Sequence, residues 1–262
     1  MKFVDLHKAG SAKNAFRILC VIPARFESSR FPGKPLAEIA GKSMIRRVYE
    51  QALSAELLTD IIVATDDERI ASHVKSFNGE VIMTRKTHPS GTDRCEEVVR
   101  SLDKQYDYII NIQGDEPFID PSQIDLLAGL LDGKTEIATL ILPITSEELL
   151  FDTGEVKVVF DTNMNALYFS RSPIPFLKGV PTNIWHTRNK YFRHVGLYAY
   201  RSDTLTKITM LNTSGLEISE SLEQLRWLEN GYQIKLGITS FESHCIDCPE
   251  DIEKAIRLMK IR

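Results

Sequence analysis

The chain has 262 residues, 43% of them hydrophobic, and its 32 Lys and Arg against 36 Asp and Glu give a formal net charge of -4. This size fits one large α/β domain, and the charge balance argues against a general nucleic-acid binder, which needs a broad basic face. No apolar run approaches membrane-spanning length and residues 1–17 hold no secretory signal, so we expect a cytoplasmic protein, not a membrane protein, with a loosely ordered N-terminal extension over 1–17.

The first half of the chain alternates strand-like and helix-like segments. Its apolar runs predict buried strands and its amphipathic runs predict helices, which together form the β-α-β pattern of a parallel sheet with right-handed crossovers. The predicted strands are 18–22, 60–66, 80–83 and 108–112, and the predicted helices are 44–55, 69–77, 92–102 and 121–131.

The second half of the chain has a different pattern, with strands predicted in antiparallel pairs and a Pro-rich excursion. Residues 173–193 hold three prolines and mixed aromatics, which predicts an arm or second lobe of the kind that mediates self-association. We therefore expect a single domain over 18–262 with 173–193 as its arm. The predicted strands are 156–161 and 166–170, joined by a turn over 162–165, then 193–201 and 234–238, and the predicted helices are 219–230 and 249–261.

The most informative stretch is the strand at 18–22 and the loop that we expect to begin at Pro23. This loop carries Arg25, Arg30 and Lys34, and cations after a buried strand suit phosphate oxygens, since ligands bind at the carboxyl ends of strands in open α/β sheets. It contains neither a GxxxxGK[ST] nor a GxGxxG pattern. The alternative is an ordinary solvated turn.

A second stretch, residues 111–117, follows the predicted strand at 108–112. Gly114 allows the backbone to approach a ligand closely, and Asp115 offers a carboxylate suited to Mg²⁺, which takes one or two carboxylates together with phosphate oxygens. A turn in which Asp115 caps the next segment is the alternative. The cationic loop near residue 25 favours the metal.

Two further stretches offer groups for nucleotide recognition or metal binding. Residues 90–93 lead into a helix, so their amides and hydroxyls could read a base or a ribose, although a plain N-cap has the same pattern. Cys245 and Cys248 form a CxxC pair, but zinc would need two more ligands and only His244 is near, and a redox site would need the pair to open a helix within a βαβ unit. We favour Asp247 as a second magnesium ligand opposite Asp115.

Polar side chains also gather in the second half of the chain. A face of this type is usually solvated, but convergence on one pocket would suit a polyhydroxylated, carboxylated ligand such as a sugar acid. The residues are Arg171, Arg193, His194, Tyr198, Glu217, Glu223, Gln224 and Arg226.

Taken together, these motifs resemble the 3-deoxy-manno-octulosonate (KDO) cytidylyltransferases, also called CMP-KDO synthetases. The resemblance covers nearly everything after Arg17, with many motifs in the same order. They lie at 22–36, 64–66, 83–85, 90–94, 111–117, 156–159, 168–171, 193–198, 222–226 and 247–251.

The resemblance implies a nucleotidyltransferase fold, like that of the nucleotide-diphospho-sugar transferases, in three layers with a mixed, mostly parallel sheet and a dimerisation arm. It also implies a homodimer that uses CTP and Mg²⁺ to convert KDO into CMP-KDO, with release of pyrophosphate, for lipopolysaccharide biosynthesis. No compelling general base is visible, and activation by the metal would replace one.

The same resemblance assigns residues to the two substrates and the metal. Arg25, Lys34 and Asp115 would be catalytic, and Asp115 and Asp247 would hold Mg²⁺. The nucleotide-binding residues would be Pro23, Arg25, Arg30, Lys34, Arg85, Ser90 and Gln113. The sugar-binding residues would be Gln113, Arg171, His194, Tyr198, Glu217 and Gln224.

Two features depart from the family pattern. Cys248 stands where the family usually has Thr, which changes the surroundings of Asp247. The arm at 173–193 is distinct, so the family's contact to the sugar carboxylate is not transferred to it, and Lys178, Arg188 and Lys190 are the available cations.

Other functions compete with this interpretation. A sialic-acid cytidylyltransferase is disfavoured by 32–35 and 222–226, by resemblance only, and a glycosyltransferase usually has a DxD motif where this chain has Gln113-Gly114-Asp115. A catalytically silent nucleotide-binding protein would have no need of Asp115 and Asp247 beside Arg25 and Lys34. The residues do not distinguish KDO from an amino-substituted analogue.

Overall fold

A computed structural model of the chain describes residues 15–27, 31–242, 246 and 248–259. Within these residues, helices flank both faces of one nine-stranded sheet, which confirms the predicted three-layer α/β class. The strands are β1 Ile18–Ala24, β2 Glu38–Ile39, β3 Lys42–Ser43, β4 Asp60–Thr65, β5 Val81–Met83, β6 Tyr108–Asn111, β7 Ile137–Ile144, β8 Lys157–Phe160, β9 Ala166–Ser170, β10 Tyr191–Arg201 and β11 Ile234–Ile238. The helices are α1 Met44–Leu53, α2 Glu68–Ser76, α3 Gly91–Ser101, α4 Pro121–Ala128, α5 Glu147–Phe151, α6 Trp185–Arg188, α7 Ser202–Ile208, α8 Gly215–Glu220, α9 Glu223–Glu229 and α10 Pro249–Met259.

The large sheet is mixed but mostly parallel. Its strand order is β11-β7-β10-β6-β1-β4-β5, with β8 paired to β10 and β9 paired to β8, while β2 and β3 form a separate hairpin. β10 runs antiparallel to β6 on one side and to β7 on the other, and the neighbours β6, β1, β4 and β5 are all parallel. The single reversed strand in the main path, β10, lies between the parallel strands β6 and β7, and the chain crosses from β6 to β7 through α4.

β1 is the central strand of the parallel part, and it extends further than the sequence indicated. Its apolar residues from Ile18 to Ile22 are fully buried because β4 and β6 flank the strand and helices cover both faces. The expected loop at Pro23 is wrong, since the strand continues to Ala24. Val21 accepts a hydrogen bond from Ile112 on the β6 side, so Pro23, two residues later, has its missing N–H on the side where pairing has stopped.

Two apolar layers cover the two faces of the sheet. One lies under α1, α2 and α4 and includes Ile45, Val74 and Leu127, and the other lies under α3, α7 and α9 and includes Val98 and Trp227. Side-chain caps begin α1, α2, α3, α4, α5 and α8, as at α1, where the hydroxyl of Ser43 accepts the amide of Arg46. Because each helix buries one face against the sheet, the helices hold the strands in place. The positions of the strand ends are fixed as a result.

Among the elements that differ from the sequence-based expectation are β7 and the helix predicted at 219–230. We assigned no strand to 137–144, yet β7 lies there, buried between β10 and β11, and its continuous apolar run lacks the alternation of a half-buried strand. The single helix predicted at 219–230 is wrong, because α8 ends at Ser221, which has a left-handed φ of 52°. The break turns Glu220 toward Ser170, whose hydroxyl donates to its carboxylate at 2.7 Å.

The excursion at 173–193 carries a small core of its own. Trp185 is 3% exposed and packs with Ile144, Leu150 and Tyr191, so part of this segment is anchored to the domain although we expected an excursion rather than core. Phe176 is 71% exposed beside Trp185. Self-association through this segment stays a prediction.

The described end of the N-terminal extension is attached to the sheet. Phe16 packs edge-on against Tyr108 with ring centroids 5.4 Å apart, and the amide of Arg17 donates to the carboxylate of Asp107 at 2.7 Å. Residues 1–14 of the predicted loose extension lie outside the described residues. No helix in the described ranges is both long enough and apolar enough to cross a bilayer.

Candidate active site

The carboxyl ends of four parallel strands meet at one edge of the sheet. Ala24 at the end of β1 pairs with Thr65 at the end of β4, and Thr65 pairs in turn with Met83 at the end of β5. β6 ends at Asn111, level with Val21 of β1. The loops that follow these strands therefore emerge side by side, where open α/β sheets bind their ligands.

Gly114 brings the loop after β6 against the end of β1. A Cβ atom on Gly114 would lie 2.6 Å from the carbonyl oxygen of Pro23, so any larger residue would push the two segments apart. This contact carries Asp115 to the loop that follows β1. The amide of Ile246 donates to the carbonyl oxygen of Asp115 at 3.1 Å, which joins the C-terminal part of the chain to the same junction.

Lys34 and Asp115 form an ion pair at this junction. Nζ of Lys34 lies 2.7 Å from Oδ2 of Asp115, and the two side chains are 10% and 31% exposed. Gly33 has φ 73°, a left-handed conformation that glycine adopts without strain, and its amide donates to the carbonyl oxygen of Phe26 at 2.8 Å. This turn sets Lys34 at the start of a short 3-10 turn and closes the cationic loop.

Arg25 lies at the end of β1 over a buried ion pair. Its Nη2 donates to the carbonyl oxygen of His88 at 2.7 Å. Burial lowers the pKa of Arg25, and the charge of Arg94 lowers it further, but a guanidinium stays charged in proteins. Arg94 is fully buried with Nη2 3.0 Å from Oδ2 of Asp66. Asp66 neutralises the charge of Arg94. The charge of Arg25 therefore remains available to an anionic ligand.

The predicted nucleotide-reading residues lie between β5 and α3. The side chain of Arg85 is 63% exposed, with Nε 3.5 Å from Oε1 of Glu97. Ser90 is the N-cap of α3, where its hydroxyl accepts the amide of Asp93 at 3.2 Å. The same hydroxyl lies 2.9 Å from Oε1 of Glu223, so Ser90 links this half of the chain to the second half.

The other predicted nucleotide residues have fewer contacts. Pro23 pairs with Ala64 in the sheet, and its ring lies 3.5 Å from the place where a Cβ of Gly91 would be. Gln113 is half-buried in the loop that leads to Asp115. Arg30 lies outside the described residues, so its assignment stays a prediction.

His194 lies on β10 in a neutral form. Burial lowers its pKa to about 3, so the imidazole is uncharged at neutral pH. Its Nε2 is 3.1 Å from Oγ1 of Thr139, which is also 2.7 Å from the carbonyl oxygen of Leu197. The single hydroxyl proton of Thr139 goes to that carbonyl, so Nε2–H donates to Thr139. Nδ1 of His194 is then an acceptor, which suits a hydroxyl group.

Tyr198 offers a buried hydroxyl beside His194. The residue is 7% exposed, and its phenol oxygen has no hydrogen-bond partner within the described part of the chain. Its ring lies 5.1 Å from that of His194 and 5.2 Å from that of Trp227, because a bulge between Val195 and Tyr198 shortens the strand. Buried hydroxyls are seldom left unsatisfied, so this one is suited to a ligand.

Arg171 holds the end of α8 in place. Its Nε donates to the carbonyl oxygen of Glu220 at 2.7 Å, and its backbone amide donates to Oε2 of the same residue at 2.9 Å. Its Nη1 donates to the carbonyl oxygen of Thr153 at 2.9 Å. A cation at a helix end satisfies carbonyls that lack partners. Arg171 therefore fixes the segment that carries the other predicted sugar-binding residues.

Glu217 and Gln224 lie on the two helices of that segment. Glu217 forms a capping box with Ser214 at the start of α8, and its Oε2 is 3.4 Å from Nε of Arg226. Gln224 is 6% exposed in α9. The carboxylate of Glu217 is thus engaged within the protein, and its predicted sugar contact is supported by no feature of the structure beyond its location.

Glu223, which our assignment of sugar-binding residues omitted, connects the two halves of the candidate site. Its Oε1 accepts from Ser90 and its Oε2 from Thr92, both at 2.9 Å, and Nη2 of Arg226 lies 3.0 Å away. Burial raises its pKa, although the hydrogen bonds from Thr92 and Ser90 act in the opposite direction. Its position directly before Gln224 was the available signal.

The chemistry of Asp115 fits a magnesium ion. It supplies one carboxylate at the strand edge next to the ammonium of Lys34, and Mg²⁺ commonly binds one or two carboxylates together with substrate phosphates. Asp247, the second predicted ligand, lies outside the described residues. Among the residues with described positions, no three His, Cys, Asp or Glu side chains group as a metal site, so substrate oxygens would complete the coordination.

The described half of the CxxC pair acts as a helix cap. The amide of Cys248 lies 3.0 Å and its Sγ 3.1 Å from Oδ2 of Asp251, at the start of α10. These contacts raise the pKa of the Cys248 thiol, whereas redox and metal-binding cysteines have lowered values. Cys245 lies outside the described residues.

Comparisons with known proteins agree with this geometry. The cytidylyltransferase family description matches residues 19–236. The chain is 51% identical over 236 residues to the 3-deoxy-manno-octulosonate cytidylyltransferase of Cytophaga hutchinsonii, covering 90% of this chain and 94% of the relative. It is also 51% identical to the enzyme of that name from Parabacteroides distasonis, covering 94% and 99%.

A solved structure of CMP:2-keto-3-deoxy-manno-octonic acid synthetase complexed with CTP has the same fold. It superposes with a TM-score of 0.87 and 42% sequence identity, covering 94% of this chain and 99% of that one. The fold, the strand-edge site and these relatives lead to one conclusion: the chain belongs to the cytidylyltransferase family, among the 3-deoxy-manno-octulosonate cytidylyltransferases.

Proposed function

We propose that this protein transfers CMP from CTP to the anomeric hydroxyl of KDO, giving CMP-KDO and pyrophosphate. The observation that carries the proposal is the junction of Lys34 and Asp115, which lie far apart in sequence and meet at 2.7 Å at the strand edge. The relatives named for this reaction supply the identity of the two substrates.

The donor side of the site neutralises the triphosphate. The anomeric hydroxyl attacks the α-phosphorus of CTP and pyrophosphate leaves, so negative charge accumulates on phosphate oxygens. Lys34 exchanges its contact with Asp115 for phosphate oxygens, and Arg25 binds the departing pyrophosphate. Both groups are held by the loop that Gly33 closes, so little reorganisation accompanies the reaction.

Asp115 serves the metal in this proposal. With Asp247, it would hold Mg²⁺, which when bound neutralises the α-phosphate and lowers the pKa of the attacking hydroxyl. In the described structure, Asp115 instead has the ammonium of Lys34 as its counter-ion. The carboxylate is therefore held in place before the substrates arrive.

The acceptor side orients the sugar acid with neutral groups. Nδ1 of His194 accepts a hydroxyl proton, and the unpartnered hydroxyl of Tyr198 is available for a second contact. Gln224 and Arg171 complete the set predicted from the family, with Gln113 between the two substrates. Hydroxyl-specific hydrogen bonds discriminate strongly, because an analogue without the group leaves buried polar atoms unpaired.

The arm and the location belong to the same proposal. We expect a homodimer formed partly through the excursion at 173–193, where Phe176 is 71% exposed, and a cytoplasmic location, where CTP is available. Light scattering of the wild type and of Phe176→Asp tests the dimer. A monomeric wild type would refute it.

A pyrophosphate-release assay tests the reaction. CTP, UTP and ATP are each paired with KDO, an amino-substituted KDO analogue and sialic acid, with and without Mg²⁺. We expect release with CTP, KDO and Mg²⁺ together. Faster release with the amino analogue or sialic acid would change the acceptor, and binding of CTP without release with any acceptor would contradict the transferase.

A further inference from the structure

The loop between β5 and α3 contacts two cations that bind the nucleotide in the proposed function, Arg85 within the loop and Arg25 directly after β1. Arg85 stands at its start, and the carbonyl oxygen of His88 accepts the hydrogen bond from Arg25 at 2.7 Å. The orientation of Arg25 therefore depends on where the backbone of residue 88 lies. The question is which group fixes that backbone.

Glu97, on the second turn of α3, contacts the loop at two places. Its Oε2 accepts the backbone amide of Arg85 at 3.1 Å and also bonds Nε2 of His88. Its Oε1 lies 3.5 Å from Nε of Arg85. The carboxylate of Glu97 thus contacts both Arg85, near the start of the loop, and His88, whose carbonyl oxygen accepts the hydrogen bond from Arg25.

These contacts are shielded from water. The side chain of His88 is 6% exposed and that of Glu97 is 19% exposed, so their bond is stronger than an equivalent surface contact. Burial raises the pKa of Glu97, but the hydrogen bonds from His88 and from the Arg85 amide outweigh it and bring the pKa below its usual range. Glu97 is therefore a charged acceptor at neutral pH.

Glu97 has no role in building its own helix. α3 begins at Gly91, and its cap is the hydroxyl of Ser90, so the carboxylate of Glu97 is not needed to satisfy the first helical amides. The neighbouring Glu96 makes a different contact, with Oε1 3.9 Å from Nε of Arg100 on the helix surface. Within the part of the chain that the structure describes, the side-chain contacts of Glu97 go to the loop.

We propose that Glu97 is a positioning residue for the nucleotide, which orients Arg25 through the backbone of His88 and Arg85 through its amide and guanidinium. The inference rests on the proposed function in that Arg25 and Arg85 bind CTP. Glu97 does not touch substrate itself. Its removal weakens CTP binding and leaves the acceptor side intact.

Calorimetric titration with CTP and Mg²⁺ tests this role in Glu97→Gln and Glu97→Ala. We expect Kd for CTP to rise about tenfold in Glu97→Ala and less in Glu97→Gln, which keeps one acceptor oxygen, because a charge-assisted hydrogen bond is worth roughly a factor of ten. The KM for KDO should stay within about twofold while kcat at saturating CTP falls, because Arg25 stabilises the departing pyrophosphate; general loosening of the fold would not spare the acceptor side. Glu96→Gln is the matched control and should bind CTP as the wild type does.

A double-mutant cycle separates positioning from general stability. In the background Arg25→Ala with Arg85→Ala, the cations that Glu97 positions are gone, so Glu97→Ala should change the Kd for CTP by less than about twofold. An unchanged Kd in folded Glu97→Gln and Glu97→Ala, or the same loss in the double background, would overturn the proposal. Failure of the wild type to bind CTP would refute the proposed function instead. If Glu97→Ala fails to fold, Glu97→Gln alone carries the cycle.

Discussion

The residues proposed for the donor side are charges that already have partners, whereas those proposed for the acceptor side are neutral groups with hydrogen-bonding capacity to spare. Lys34 is paired with Asp115, and Arg25 is bonded to the carbonyl of His88. In contrast, His194 is uncharged and the hydroxyl of Tyr198 has no partner in the described structure. A triphosphate is charged enough to displace internal partners, but hydroxyl groups are read better by acceptors and donors left open for them.

The largest expected effect comes from removing the carboxylate of Asp115 on the donor side. Asp115→Ala takes away the proposed metal ligand and leaves Lys34 without its counter-ion, so we expect turnover to fall by about 10³-fold or more. Pyrophosphate release measures the effect, and thermal unfolding should remain cooperative. Asp103→Ala, at an exposed position, is the control. Turnover of Asp115→Ala within a few-fold of the wild type would remove this carboxylate from the mechanism.

A subtler change on the donor side displaces Asp115 without altering it. In Gly114→Ala, the new methyl group would lie 2.6 Å from the carbonyl oxygen of Pro23, so the β6 loop must shift. We expect turnover to fall by about 100-fold, because misplacement by about 1 Å has effects of that size, and the free energy of unfolding to fall by about 1–3 kcal/mol. Gly215→Ala, where nothing lies within 4 Å, should be near neutral. A fully active Gly114→Ala would show that the contact relaxes harmlessly.

On the acceptor side, the neutral state of His194 predicts a pH dependence of stability. Its pKa is about 3 when folded and near 6.5 when unfolded, so between these values only the unfolded chain takes up the proton. Stability therefore falls as pH falls below about 6.5. We expect this group to remove about 2 kcal/mol from the free energy of unfolding between pH 7 and pH 5. Urea unfolding of wild type and His194→Gln at several pH values measures it, and parallel curves for the two proteins would contradict the assignment.

The smallest expected effect comes from one hydroxyl group. Tyr198→Phe removes only the unpartnered oxygen, so we expect the KM for KDO to rise about tenfold while the KM for CTP stays unchanged. Stability should stay equal or increase, since this oxygen has no hydrogen bond to any described residue. Tyr200→Phe, whose hydroxyl lies 3.4 Å from that of Thr92, is the matched comparison. A lower stability of Tyr198→Phe without a change in KM for KDO would make that hydroxyl structural.

The parallel half of the fold could be predicted from the sequence because each of its strands is a short apolar run between turn residues. Asp115 and the cations at 25 and 34 could be placed at one edge for the same reason, since parallel strands end together. β7 was missed although it is an apolar run of the same kind, because periodicity alone does not distinguish such a run from a buried helix segment. The break at Ser221 depends on contacts with Arg171 and Ser170, which are distant in sequence.

The site residues that the sequence analysis missed are defined by their contacts in the fold and not by sequence motifs. Glu217 and Glu223 both lie near Gln224 in sequence, and only the fold shows that Glu223 reaches Ser90 whereas Glu217 caps its own helix. His88 and Glu97 gave no sequence signal, because their role arises from a bond between a loop and the middle of a helix. Residues that position other residues follow no sequence spacing by which they could be recognised.

The hydrogen bond from Ile246 to Asp115 has a consequence for the order of events during synthesis. β1, β4, β5 and β6 leave the ribosome long before Ile246 does, so a nascent chain can form its parallel half early and still lack the bond that seats this loop. The site would then become able to bind the metal only late in synthesis, after β10 has taken its place between β6 and β7. A fragment that stops before Ile246 should be folded in part and inert.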